Sequence, residues 1–85
     1  MSQITNAEEK ANFQVLSLGQ GGTMVYIVQK MLNSLGYELE EDGAFSESME
    51  EVVKVFQATR ENLVVDGIVG YQTMKEMDEA SSNTI

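Results

Sequence analysis

The chain has 85 residues and a formal net charge of −9, from five basic and fourteen acidic side chains. It contains no cysteine and no histidine, which excludes disulfides, zinc sites built on these ligands and every catalytic triad with an imidazole base. The acidic balance argues against nucleic acid or an anionic membrane as a partner, and the length predicts one domain.

The N-terminal residues 1–14 are polar and predict a loose arm. They lack the basic start and apolar run of a secretory signal peptide. No apolar stretch approaches the about 20 residues needed to cross a bilayer. We therefore expect a protein that is made in the cytoplasm and is delivered elsewhere by a non-classical or particle-borne route.

A glycine-rich stretch at 19–22 precedes the first predicted helix. It lacks the Lys-Ser or Lys-Thr of a nucleotide-binding P-loop, so it indicates a turn. From Thr23 to Leu35 apolar residues recur with helical spacing, and Gly36 follows where helices commonly end. The residues expected on the buried face are Val25, Val28, Met31 or Leu32, and Leu35, with Ile27 beside them and Gln29, Lys30 and Asn33 elsewhere.

Residues 38–42 carry four carboxylates in five positions. If Gly43 is set at the sixth position of an EF-hand calcium loop, the twelfth position is Met49. Methionine cannot supply the bidentate carboxylate that this position requires. We therefore expect a solvated acidic loop without a bound metal.

The Asp42-Gly43 turn and the helix that follows it form the clearest local prediction. Asp-Gly favours a turn, and Ser46 is placed to cap the helix. Acidic residues in the first turn suit the helix dipole. The helix is expected to run from near Ser46 to about Asn62 and to bury Met49, Val52, Val53 and Phe56.

A second Asp-Gly, at Asp66-Gly67, has the same plan and is expected to open a last short helix at Gly70 or Tyr71. Met74 and Met77 should face inward. The two Asp-Gly turns are the nearest approach to an internal repeat that the sequence shows.

The expected fold is one compact all-α domain of three helices joined by glycine turns, with at most short extended pieces. It should span 15–78, between the loose arm at 1–14 and a frayed tail at 79–85. Residues 63–65 should pack as a short extended segment. The core is expected to draw on Leu16, Leu18, Val25, Val28, Leu32, Leu35, Phe45, Val52, Val53, Phe56, Val65, Val69 and Met74.

Four blocks of this sequence resemble the peptidoglycan-binding domain found beside many bacterial cell-wall hydrolases. That family reads approximately Leu-x-x-Gly-x-x-Gly, Val-x-x-Leu-Gln-x-x-Leu-Asn-x-Leu-Gly-Tyr, Asp-Gly-x-Phe-Gly-Pro-x-Thr and Val-Asp-Gly-x-Val-Gly-Pro-x-Thr. The matching blocks begin at Leu16, Val25, Asp42 and Val65, and Phe56-Gln57 closes the middle helix. The departures are Ser46-Glu47 for Gly-Pro, Met49 for Thr, and Tyr71-Gln72 for Pro and a basic or polar residue.

The resemblance implies a three-helix domain without catalysis or cofactor, whose partner is peptidoglycan or its fragments. Its usual role is to hold an attached enzyme on the wall polymer. We expect a shallow groove between the two Asp-Gly turns, where backbone N–H groups and side chains bond sugar and peptide groups. The candidate ligand contacts are Gly43, Ser46, Tyr71 and Gln72.

One alternative function is a structural or adaptor domain of the same fold, bound to a protein partner in a phage tail or contractile injection particle. The acidic charge and the absence of an attached hydrolase favour it. An enzyme that uses carboxylates is a weaker alternative, because 85 residues leave no room for a deep cleft. An acyl carrier protein is also weaker, because the sequence lacks the Asp-Ser-Leu context that carries phosphopantetheine.

Overall fold

The computed structural model describes residues 13–82, which contain three α-helices of twelve residues each. Helix α1 spans Thr23–Ser34, α2 spans Glu47–Ala58 and α3 spans Tyr71–Ser82. Within this range the β contacts are two isolated bridges, Leu16 with Val69 and Gly21 with Ala44. The prediction of an all-α domain with short extended pieces is confirmed. Residues 1–12 of the predicted arm and 83–85 of the predicted tail lie outside the described range.

Helix α1 begins and ends at glycine-dependent turns. Its N-cap is Gly22, so no side chain caps the first turn. Its last residue is Ser34, one residue before the predicted end, and Gly36 follows with a φ of 105°. This left-handed glycine confirms the predicted end of the helix. None of the three helices has the length and apolarity that a bilayer crossing requires.

Helix α2 is capped as predicted but is shorter than predicted. The Ser46 side chain accepts a hydrogen bond from the Met49 N–H at 3.3 Å. The helix ends at Ala58, four residues before the expected end at Asn62. The Thr59 hydroxyl donates to the Phe56 carbonyl at 2.6 Å, which competes with continued helix.

Helix α3 begins at Tyr71 as predicted and is longer than predicted. It continues to Ser82, so residues 79–82 of the predicted tail are helical. The Ser82 and Ser81 hydroxyls donate to the Asp78 carbonyl at 2.6 and 3.1 Å. These short side chains bond the helix backbone near its C-terminal end.

Most of the predicted core is confirmed, and the inward-facing Met49 and Met77 are fully buried as predicted. Leu35, Val52 and Met74 are partly buried and pack against the core. Leu18 is 45% and Val65 52% exposed, so their predicted burial is wrong. Val64 is 74% exposed, so residues 63–65 do not pack inward as expected, and only Leu63 of the three contacts the core. The buried apolar residues are Leu16, Val25, Val28, Leu32, Phe45, Met49, Val53, Phe56, Val69 and Met77.

The three helices begin 24 residues apart, and each follows a turn of the same form. Gly19, Gly43 and Gly67 stand at equivalent positions with φ values of 95°, 74° and 76°. Buried residues also recur at the third and seventh positions of each helix: Val25, Met49 and Thr73, then Gln29, Val53 and Met77. The fold is therefore three copies of a turn–helix unit, where the sequence suggested only two.

The segment at 16–22, which contains the first turn, is hydrogen-bonded to both later turns. Leu16 and Val69 exchange backbone hydrogen bonds of 3.0 and 2.8 Å. The Gly19 N–H donates to the Phe45 carbonyl at 3.0 Å, and the Phe45 N–H donates to the Gln20 carbonyl at 2.9 Å. The first turn and the residues beside it thus form hydrogen bonds with backbone groups of the second and third turns.

Candidate functional site

Each Asp-Gly turn is closed by a buried glutamine from the preceding helix. At the first turn Gln29 is 1% exposed. Its carbonyl oxygen accepts the Gly43 N–H at 2.8 Å, and its amide nitrogen donates to the Ala44 carbonyl at 3.0 Å and to Asp42 Oδ1 at 3.1 Å. The turn backbone is therefore held by one side-chain amide.

The second turn repeats this arrangement with Gln57, which is also 1% exposed. Its oxygen accepts the N–H groups of Asp66 and Gly67 at 3.0 and 2.9 Å. Its nitrogen donates to Asp66 Oδ1 at 3.0 Å, to the Ile68 carbonyl at 3.0 Å and to Thr73 Oγ1 at 3.2 Å. Both the oxygen and the nitrogen of this side-chain amide are therefore fully hydrogen-bonded.

The prediction that Gln29 lies away from the buried face is wrong. Gln29 and Gln57 each stand four residues after a buried valine, Val25 and Val53, and so lie on the apolar face of their helices. Each also precedes an Asp-Gly turn, and the family pattern contains glutamine at both places. That combination was a usable signal for a buried amide.

The Asp42 carboxylate bends back onto its own turn. Its Oδ1 accepts the Ala44 N–H at 3.0 Å and the Gln29 amide. The Ala44 N–H, and after it the Gln29 amide, lower the pKa of Asp42 below its ordinary value, because both bond the charged form. Among residues 13–82, no three acidic side chains come together in a way that would hold a metal ion.

The four predicted ligand contacts lie in three separate hollows. Gly43 lines a shallow hollow with Gly22 and Tyr26, and its N–H is already bonded to Gln29, so that N–H is not available to a ligand. Ser46 lines a hollow of about 320 Å³ with the acidic residues 38, 40 and 42.

Tyr71 and Gln72 are brought together at the start of α3. They line a hollow of about 310 Å³ with Val15, Asn62 and Val64. Tyr71 is half-buried and Gln72 is exposed. The role of all four candidates in binding stays a prediction.

The Tyr71 ring also borders a larger apolar groove between α1 and α3. Phe13 meets this ring edge-on, with 6.0 Å between the ring centroids and 82° between the planes. The groove has a volume of about 460 Å³, and methionines form much of its wall: Met24, Met31 and Met74. Tyr71 therefore stands between two concave surfaces.

This geometry, three turn–helix units with two glutamine-closed Asp-Gly turns, coincides with a known family. The family model described as "Putative peptidoglycan binding domain" matches residues 21–77. The match includes both closed turns and the part of α3 that packs on the core. The chain belongs to this family and is a binding module, and the resemblance seen in the sequence is confirmed.

Solved structures agree with this assignment. The chain is 37% identical to a fused Zn-dependent amidase/peptidase/peptidoglycan-binding domain-containing protein from Clostridium acetobutylicum, with a TM-score of 0.72 over 76% of this chain and 29% of that one. It is 31% identical to a peptidoglycan-binding protein from Clostridioides difficile, solved with glutamine hydroxamate, with a TM-score of 0.76 over 80% of this chain and 42% of that one. No curated protein matches the chain.

A third similar structure has nearly the size of this chain. The SleB N-terminal domain is 30% identical, with a TM-score of 0.75 over 80% of this chain and 93% of that one. In contrast, this chain spans less than a third of the Clostridium acetobutylicum protein. The likeness therefore extends over a whole small domain and over one part of a larger enzyme.

Proposed function

We propose that this chain is a non-catalytic module that binds peptidoglycan and targets or anchors a partner to the cell wall. The observation that carries the proposal is the family match across residues 21–77, which spans both glutamine-closed turns. In the Clostridium acetobutylicum protein a peptidoglycan-binding domain is fused to an amidase/peptidase. By analogy, this chain would attach a partner to the wall, and the partner would carry any catalytic activity.

The side chains of the chain support binding better than catalysis. The chain has no histidine, the most common general acid–base residue, and no cysteine, so acid–base chemistry would rest mainly on carboxylates. The carboxyl with a shifted pKa, Asp42, is shifted downward, which makes it a poorer proton donor near neutral pH. Its oxygen is also occupied within the turn. A rigid turn with its outer side chains exposed suits recognition of a polymer surface.

Retention on purified sacculi tests the proposal. The full chain is incubated with sacculi, and the bound fraction is measured after sedimentation at moderate salt. We expect saturable retention that is lost when the sacculi are first digested with a muramidase. Cellulose serves as the control polymer, because it offers sugar rings without N-acetyl groups or peptides. Equal retention on cellulose and sacculi, or none on either, would contradict the proposal.

One observation favours the adaptor function as a second candidate. The described residues expose several large apolar side chains, among them Val15, Leu18, Met24, Val55 and Val65. Of these exposed apolar side chains, Met24 lies beside Ile27 in the apolar groove between α1 and α3, and a contiguous apolar surface is typical of protein contacts. Cross-linking of the purified chain in a lysate would test this candidate, and a single stoichiometric protein partner without sacculus retention would favour it over wall binding.

A further inference from the structure

The hollows in front of the three helices are equivalent to one another under the 24-residue shift. We call them the first, second and third grooves. The first is lined by residues 14, 16, 22 and 24, the second by 38, 40, 46 and 48, and the third by 62, 64, 70 and 72. Adding 24 to each residue number of one set gives the next set. The fold therefore presents three versions of one concave surface.

The second groove is unsuited to an anionic polymer. Glu38, Glu40 and Asp42 all line it, within a chain whose net charge is already −9. The corresponding residues of the third groove are Asn62, Val64 and Asp66. Two of the three carboxylates are thus replaced by an amide and an apolar side chain, and like charges facing a polymer cost binding free energy.

The third groove also differs from the first, although neither is strongly charged. The first residue of each helix is Thr23, Glu47 or Tyr71, so only the third helix begins with an aromatic ring, and that ring lines its groove. Side-chain amides also differ. Among residues 13–82, the first groove has the side-chain amides of Gln14 and Gln20, and the Gln20 oxygen already accepts the Ser17 N–H. In the third groove the side-chain amides of both Asn62 and Gln72 are without a hydrogen bond within these residues.

We propose that, of these three grooves, the third binds peptidoglycan, through an N-acylated fragment of the polymer. This inference rests on the proposed function. The volume of about 310 Å³ lies at the lower end of the range for small-ligand sites, which suits one sugar or a short peptide piece. Asn62 and Gln72 pair with the secondary amide, and Val15 and Val64 pack against its methyl or methylene groups. The Tyr71 ring gives the apolar face on which the fragment lies.

A matched pair of valine substitutions tests the location. Val64 is 74% and Val55 52% exposed, and Val55 lies on α2 outside all three grooves. Val64→Glu and Val55→Glu add the same charge to the chain. We expect Val64→Glu to weaken binding to sacculi by about tenfold or more, and Val55→Glu by less than about twofold. Equal losses in the two variants, or no loss in either, would overturn the inference.

Circular dichroism of both variants confirms that each is folded before binding is compared. Gln72→Ala removes one of the two amides without adding charge, and a several-fold loss of affinity is expected. If both Val64→Glu and Gln72→Ala bind as the unchanged chain does, the third groove is not the contact. If the unchanged chain itself fails to bind sacculi, the proposed function fails, so the two failures are distinguishable.

Amide chemical shifts then separate the two sources of the N-acyl group. The ¹⁵N-labelled full chain is titrated with a chitin oligosaccharide in one arm and with an uncrosslinked stem peptide in the other. We expect shifts at residues 62–73 with one of the probes, and the probe that causes them identifies sugar or peptide as the source. Shifts centred on 38–49, or none with either probe from a chain that binds sacculi, would contradict the inference.

Discussion

Gln57 shows how much of the fold depends on one polar side chain. It makes five hydrogen bonds from a position that is 1% exposed, and three of them are with the backbone of the turn that carries Asp66 and Gly67. Gln29 has a weaker set, because its third donor contact is the Met49 sulfur at 3.7 Å where Gln57 has the Thr73 hydroxyl. The second Asp-Gly turn is therefore the more firmly held of the two.

Replacing Gln57 with leucine should destabilise the domain severely. Gln57→Leu keeps the side chain near its size but leaves the buried Gly67 N–H without a partner, which costs about 1–3 kcal/mol, and also removes the part-buried bonds to the Asp66 N–H and the Ile68 carbonyl. We expect a loss of about 3–5 kcal/mol in the free energy of unfolding, measured by urea titration. Gln72→Leu, at an exposed glutamine, is the control and should change it by less than about 0.5 kcal/mol. A small effect of Gln57→Leu would show that the turn holds without the amide.

Asp42 should make the free energy of unfolding depend on pH in the acidic range. Its pKa is lowered in the folded chain from an ordinary value of 3.8, mainly by the Ala44 N–H. The stabilisation is thus fully present above that ordinary value and is lost as the pH falls through the lower, folded pKa. Melting temperatures of the unchanged chain and of Asp42→Asn should differ at pH 7 and converge towards about pH 2. A constant difference across that range would contradict this role.

At the scale of the element, the Asp66-Gly67 turn has the tightest backbone requirement. A methyl group at Gly67 would lie 2.8 Å from Glu50 Cγ and 3.2 Å from Lys54 Cε, and the φ of 76° disfavours any side chain. At Gly70 nothing lies within 4 Å of such a methyl group. The turn therefore packs directly on the side of α2 that carries Glu50 and Lys54.

Alanine substitutions at these two glycines form a matched test. Gly67→Ala should lower the free energy of unfolding by about 1–3 kcal/mol, because a left-handed φ and two crowded side chains both oppose it. Gly70→Ala should change it by less than about 1 kcal/mol, in either direction. Thermal unfolding of both variants followed by circular dichroism gives the comparison. A Gly70→Ala variant less stable than Gly67→Ala would refute the packing argument.

The element boundaries show what local sequence could predict. The start of α2 at Glu47 and of α3 at Tyr71 followed from nearby signals, namely Asp-Gly turns and a capping serine. The end of α2 did not, because it depends on how the chain returns to place the second turn over Gln57. The burial of Gln29 was also missed, since hydrophobic periodicity counts every glutamine as polar.

At the scale of the whole molecule, the threefold repeat was visible in the sequence only in part. The first unit has Leu18 where the others have Asp42 and Asp66, so it carries no Asp-Gly signal. Its backbone still adopts the left-handed glycine at 19. Of the predicted contacts, only Tyr71 and Gln72 share a groove, because which turns lie side by side is decided by helix packing and not by local pattern.

The net charge should give wall binding an unusual response to salt. A chain of charge −9 is repelled by an anionic polymer, and added salt screens that repulsion within a Debye length of about 10 Å at 0.1 M. Retention on sacculi should therefore rise between about 10 mM and about 150 mM NaCl. Binding assays at these two concentrations, with potassium glutamate as a second salt, measure the effect. A steady fall in retention would mean that attraction between opposite charges dominates.

The glutamine-closed turns have a consequence for how recognition can diversify. The groups that fix each Asp-Gly turn are a glycine with a left-handed φ and a buried side-chain amide. Side chains at the rim, such as Glu40 and Val64, are correspondingly unconstrained by the fold. One scaffold can thus acquire a new binding specificity when two or three rim residues of a single turn–helix unit are replaced. The other two units keep the domain folded.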